Sequence, residues 1–268
     1  MRLILGFFLM NIFFIYNQSL SLAEDWLEEK GKHFIVQYAI KGNRESSQKL
    51  LKGAEEYYRT IADDLGFSRY DRFWTWDERA KITVYPDQET FMQDTGQPLW
   101  SKGGAIARDL DFKRTRTILT YRQEEGFLDG VLPHEISHLI LKDFFGIDRG
   151  IPLWLEEGIA QLKEAGKKEG AAVIMRKLIA THQHIPLNVL LNLDVRFVPD
   201  PQLVKTFYAE SVSIVHFLLT EHGQQKFTAL CSNLRDGHIW EEAVKNAYPN
   251  SMETTADLEQ KWIEYLKK

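Results

Sequence analysis

Within Leu132–Leu141, LPHEISHLIL, residues His134, Glu135 and His138 stand in the order His-Glu-x-x-His. On a helix, residues four apart are neighbours, so the two imidazoles lie one turn apart on one face and can share a metal ion. Two nitrogen ligands at that spacing suit zinc. Glu135 points roughly a quarter turn away; it falls beside the metal rather than on it, where a carboxylate can take a proton from a water. The chemistry such an arrangement serves is metal-assisted hydrolysis.

The helix must bury one side to keep the other at a cleft. Ile136, Leu139, Ile140 and Phe144 fall opposite the histidines at helical spacing, and Pro133 fits a first turn, where its missing N–H is not needed. An open catalytic site needs a further protein ligand. The segment Ile151–Glu164, IPLWLEEGIAQLKE, supplies the adjacent pair Glu156 and Glu157, and eighteen residues, Leu139 to Glu156, separate His138 from Glu157. The rest of the first helix, a short Gly-containing turn and the start of a second helix fill that gap. The second helix can therefore pack beside the first and bring a carboxylate to the metal.

HEISH followed after this gap by the glutamate of W-L-E-E-G-I-A resembles the gluzincin metallopeptidases, the superfamily of thermolysin-like and aminopeptidase-like enzymes, and most closely its small peptidase-MA-like members. The resemblance implies that His134, His138 and Glu157 hold zinc and that Glu135 is the catalytic base. Glu157 is preferred to its neighbour Glu156 because the family's ligand immediately precedes glycine. Phe207–Leu219, FYAESVSIVHFLL, is similar to the family's Tyr-Ala-x-Ser helix, whose tyrosine points at the zinc. This implies that Tyr208 stabilises the oxyanion. Gly103–Leu110, about thirty residues before the zinc helix, stands where gluzincins carry the strand that edges the cleft and pairs with substrate. By that resemblance Gly104, Ala105 and Ile106 bind substrate backbone, with Gly103 and Gly104 allowing close approach. One departure matters. Where the aminopeptidases' Gly-Ala-Met-Glu-Asn carries the glutamate that grips a free amino terminus, this chain has Ala107, which points to internal cleavage.

The remaining pattern predicts an α+β, zincin-like fold with a mixed sheet in the first half and a helical second half. His33–Ile40 and Lys81–Tyr85 read as strands, Asn43 to about Leu65 as an amphipathic helix, and Gln88–Asp94 as a short helix. Gly103–Leu110 and Thr115–Tyr121 read as a hairpin about a polar turn, Asp111–Arg114, with Lys113, Arg114 and Arg116 as a solvated basic tip. Helical patterns follow over Gly170–Ala180, Pro201–Glu221, Gly223–Leu234, Trp240–Ala247 and Ala256–Leu266. Tyr57, Tyr58, Trp74 and Trp76 are read as core and rim packing. His182 and His184 are read as a solvated turn and His216 as a packing or surface residue.

Composition bounds the rest. Arg2, the apolar run Leu3–Tyr16 and the small residues Ser21 and Ala23 have the three-part form of a secretory signal peptide, residues 1–23, leaving one catalytic domain over 24–268. The run is short of the roughly 20 residues that span a bilayer, so no stable membrane insertion is expected after cleavage. Loss of Arg2 leaves the mature chain one unit more negative than the formal −5 of the whole. An acidic chain without a basic stripe is a poor nucleic-acid binder, so the expected partner is a peptide or protein substrate. The single Cys231 cannot form an internal disulfide and is read as core filler. The whole points to a secreted or periplasmic zinc endopeptidase. The alternative is a zinc-containing protein that uses the same cleft to bind a peptide or partner.

Overall fold

The computed structural model describes residues 26–39, 44–67, 74, 78–97, 101–110, 113–122, 126–146 and 150–268. The leader, residues 1–23, and Trp76 lie outside the described residues.

Five strands form one mixed sheet: β1 (Trp26–Lys30), β2 (Phe34–Ala39), β3 (Ala80–Tyr85), β4 (Gly103–Leu110) and β5 (Lys113–Tyr121). Their order is β1-β2-β3-β5-β4, with β2, β3 and β5 parallel and both outer pairs antiparallel. β4 therefore lies at an edge. The sheet buries one face through alternate residues, Phe34, Val36 and Tyr38 from β2, Ala80 and Ile82 from β3, and Ile118 and Thr120 from β5, with Ala39 and Thr83 buried on the other face. β1 is not legible from its residues. WLEEK is largely exposed and carries no alternating apolar set; only its pairing with β2, Trp26 opposite Ala39, makes it a strand.

Helices cover the buried face. α1 (Arg44–Asp64) crosses from β2 to β3, and α2 (Gln88–Thr95) follows β3, capped by Asp87 accepting from the Thr90 amide. A π-helical turn, Phe127–Val131, runs directly into α3 (Leu132–Phe145), which packs on α1, β4 and β5. The helical half comprises α4 (Leu153–Leu162), α5 (Lys167–Ala180), the single turn α6 (Leu187–Leu190), α7 (Pro201–His222), α8 (Gln224–Arg235), α9 (Trp240–Ala247) and α10 (Thr255–Leu266). α7 is the axis of this half. It touches α4, α5, α8 and α10, so it is apolar nearly all round, as a fully surrounded helix must be. Its ends follow local chemistry: Asp200 caps the start by accepting from the Gln202 amide, Pro201 occupies the first turn, and Gly223 ends the helix at φ 81°.

Three sequence expectations change. Lys113 and Arg114, expected in the β4–β5 turn, belong to β5, and Asp111 lies outside the described residues. The basic cluster is not a solvated tip: Arg116 is 7 % exposed, and Arg114 and Arg116 both pair with Asp143 of α3. His184 is half-buried beside Glu259 of α10, Nε2 to Oε1 3.4 Å, rather than solvated. For the arginines and for His184 the partner comes from an element distant in sequence. Elsewhere the packing follows the pattern: Tyr58, Trp74 and Cys231 are buried, and His216 sits half-buried against Thr220 and Tyr265. Burial also raises the Cys231 thiol far above its ordinary range, which suits filler and not a nucleophile.

Candidate metal centre

α3 presents His134 and His138 on one face, one turn apart, their ring centroids 4.7 Å from each other. Their Nε2 atoms lie 3.0 Å apart. α4 then brings in Glu157, with Oε2 3.9 Å from His134 Nε2 and Oε1 3.8 Å from His138 Nε2. The outer nitrogens are also engaged: His134 Nδ1 meets Glu164 Oε1 at 2.8 Å, and His138 Nδ1 meets Glu156 Oε1 at 2.9 Å. The two neighbouring glutamates of α4 thus do different things. Glu157 faces both inner nitrogens, while Glu156 holds one ring from behind.

This pattern has an electrostatic consequence. A carboxylate only accepts, so each Nδ1 carries the proton and each Nε2 presents a lone pair. Two lone pairs 3.0 Å apart repel unless a cation or a proton lies between them. Burial works against a charged His138, but the hydrogen bond from its ring to Glu156 and the charges of Glu157, Glu156 and Glu135 outweigh it and hold this imidazole above its ordinary value. For Glu157, burial dominates and keeps the carboxyl above its usual range despite the two histidines. For Glu156, burial is outweighed by His138, Lys142 and Arg196, and the carboxyl lies below that range.

One nitrogen from each histidine and one Glu157 oxygen all lie within 4.8 Å of one another. Zinc ligands at about 2.0–2.2 Å in a tetrahedron stand roughly 3.3 Å apart, so the three donors need move only a few tenths of an ångström to share an ion. The donor set, two imidazoles and a carboxylate backed by two further carboxylates, suits zinc.

Glu135 is 9 % exposed, next along the helix from His134, and close enough to act on the charges of both His138 and Glu157. Tyr208 of α7 is half-buried; burial first, then the charges of Glu157 and Glu164, push its phenol up to about 12. It therefore belongs to the same electrostatic neighbourhood. Arg196, held in a fork by Asp194 at 2.8 and 2.6 Å, also acts on Glu156, Glu157 and Tyr208. Gly104, Ala105 and Ile106 lie on β4, whose outer edge has no strand partner among the described residues. α3 packs against that strand, so the edge and the histidines share one element.

The peptidase MA superfamily model matches residues 91–268, about two thirds of the chain. The chain belongs to the peptidase MA superfamily. No curated protein matches it. Membership supports a metallopeptidase-type activity for this chain, and the matched span holds every residue of the His134–His138–Glu157 cluster as well as Tyr208 and β4.

Several parts of this peptidase MA site were not picked out from sequence. Glu164 lies seven residues beyond Glu157, just past the C-cap of α4, so its approach to His134 depends on the turn that follows the helix. Gly158 has a tertiary reason: a Cβ there would lie 2.4 Å from the Ser211 carbonyl oxygen, so only glycine lets α4 approach α7 this closely. Arg196 and Asp143 carry no local signal at all.

Proposed function

We propose that this peptidase MA protein is an exported zinc endopeptidase. The observation that carries the reading is the convergence of two imidazole Nε2 atoms and the Glu157 carboxylate beside the buried Glu135. Zinc held by His134, His138 and Glu157 supplies Lewis acidity to a water and to the peptide carbonyl. Glu135 takes the proton of the attacking water and returns it to the leaving amine. Tyr208 keeps its proton far past neutral pH, so it remains a donor to the carbonyl oxygen as negative charge builds there. Glu156 and Glu164 hold the two rings in the tautomer that leaves each Nε2 free to bind metal.

The free edge of β4 at Gly104, Ala105 and Ile106 receives the extended substrate backbone as an added strand. Ala107 offers no carboxylate to anchor a free amino terminus, so the bond cut lies inside the chain. The form of residues 1–23 directs the protein to a secreted or periplasmic location. No helix among the described residues is long and apolar enough to cross a membrane.

An unbiased peptide-library digest with the zinc-loaded protein and its Glu135→Gln form tests the reading. The wild type should yield internal fragments. The variant should keep zinc and lose about 10²–10⁴-fold in rate, since the amide keeps the size of the base but cannot take the proton. Full activity in Glu135→Gln sinks the mechanism, and products that shorten only from the amino terminus sink the endopeptidase assignment.

A further inference from the structure

Helix α3 is fastened to the β4–β5 hairpin at both ends. Where the π-helical turn enters α3, a Cβ on Gly103 would stand 3.1 Å from Val131 Cγ1 and 3.1 Å from the Leu119 carbonyl oxygen, so the strand start and the helix start are in close contact. Near the other end, Asp143 accepts from Arg116 Nε at 2.6 Å, Arg116 Nη2 at 3.1 Å, Arg114 Nη1 at 3.1 Å and the Trp74 indole. Arg116 is gripped further. Its Nη1 donates to the Glu78 carbonyl at 3.1 Å, and its guanidinium lies over the Trp74 ring, 5.6 Å from the centroid. Both side chains of the pair are 6 % exposed.

The sheet register gives this fastening its meaning. Thr120 stands opposite Gly103, Ile118 opposite Ala105, and Arg116 opposite Ala107. Residues directly opposite share a face, so β4 turns Gly103, Ala105 and Ala107 toward α3, the side on which Ile118 and Thr120 are buried. Three minimal side chains leave nothing on β4 itself to hold the helix at a set height. The two fixed points do so, and His134, Glu135 and His138 lie between them. A buried ion pair is a poor device for stability alone, because apolar side chains of similar volume do as well or better. Its directional hydrogen bonds do fix geometry.

We propose that Asp143 and Arg116 are positioning residues for substrate: they set the height and register of the edge strand β4 relative to the metal-bearing face of α3. The proposal rests on β4 being the strand that receives substrate. Loss of the pair frees the Arg116 end of the hairpin while the Gly103 end stays seated, so the strand tilts past the histidines. The metal ligands, all on α3 and α4, do not move with it. The effect therefore falls on peptides long enough to lie along β4 and spares short ones.

The test uses the zinc-loaded protein and its Asp143→Asn variant. It compares an extended peptide with a short chromogenic one, and adds zinc content and amide hydrogen exchange along β4. Asp143→Asn should raise KM for the extended peptide about tenfold, leave kcat and zinc within about twofold, spare the short substrate, and speed exchange in β4 but not in α3. An unchanged KM, or equal losses on long and short substrates, overturns the proposal. If Asp143→Asn does not fold, the double variant Asp143→Leu with Arg116→Met, which removes both buried members of the pair and takes Asp143 only from the part-exposed Arg114, carries the same comparison. A wild type that cleaves nothing counts against the proposed function and not against the pair: peptide binding to the Glu135→Gln form and β4 exchange then decide, and β4 exchange unaltered by Asp143→Asn overturns the positioning role.

Discussion

Helix α7 faces two groups of buried and half-buried acids from opposite sides. Tyr208 belongs to the one at the metal centre, where Glu135, Glu156, Glu157 and Glu164 surround two imidazoles. Glu210, two residues on and so on the opposing face, belongs to the other. There it is fully buried: Oε1 accepts the Ile185 amide at 2.6 Å, Oε2 has no hydrogen-bond partner among the described residues, and Glu259 lies nearby, itself accepting the Leu187 amide and facing His184. Burial, aided by Glu259 and opposed by the Ile185 hydrogen bond, pushes Glu210 up to about 8. The first group has two imidazoles set against its carboxyls. In the second, Glu210 has only the Ile185 amide set against its burial, and its carboxyl stays protonated at neutral pH. Burial raises both Glu157 and Glu210, and only Glu157 has imidazoles that work against it.

The contrast breaks most severely if a ligand of the proposed zinc is removed. Glu157→Gln should weaken zinc on the order of a thousandfold, whereas Glu156→Gln, which loses only a partner of the ring, should cost about 10–100-fold. Chelator competition measures both, and the reverse ranking would exchange the roles of the two glutamates. Next comes Tyr208→Phe. It should retain zinc and thermal stability and lose about a hundredfold in kcat, the scale of one oxyanion donor; an unchanged kcat would reduce the ring to packing. Gly158→Ala acts on the spacing between α4 and α7. Its Cβ meets the Ser211 carbonyl oxygen at 2.4 Å, so the helices must part, at a cost of about 1–3 kcal/mol in denaturant unfolding. Ser211 lies one turn beyond Tyr208, so kcat should fall with stability.

The smallest effect on cleavage belongs to Glu210→Gln, which sharpens the comparison through stability. Glu210 ionises near 4.5 when unfolded and near 8 when folded, so between those values the folded chain binds the extra proton. Its contribution is fully favourable below about pH 4.5, declines as pH rises through 8, and is constant beyond. Glu210→Gln should match the wild type in acid, exceed it at pH 8–9, and flatten the melting profile, with peptidase activity unchanged. Parallel profiles for the two proteins would mean that Glu210 is ionised and compensated after all.

Much of this protein is governed by short-range pattern and could be read from the chain alone. His134 and His138 meet because four residues make about one helical turn, and Asp200-Pro201 with Gly223 delimits α7 because caps act over a few residues. Ile136, Leu139 and Ile140 are buried because their spacing gives α3 an apolar side. Other features depend on where remote elements come to rest. Spacing could not say which of two adjacent glutamates turns to the inner nitrogens, since both sit on α4 within one turn and only the seating of α4 on α3 separates them. Sequence made Arg116 a solvated cation; the fold brings Asp143 and Trp74 to it and buries it. Gly158 looked like part of a motif until Ser211, on another helix, occupied the space its Cβ would need. Local spacing determines which side chains share a face, whereas the distance between faces is set only when the elements pack.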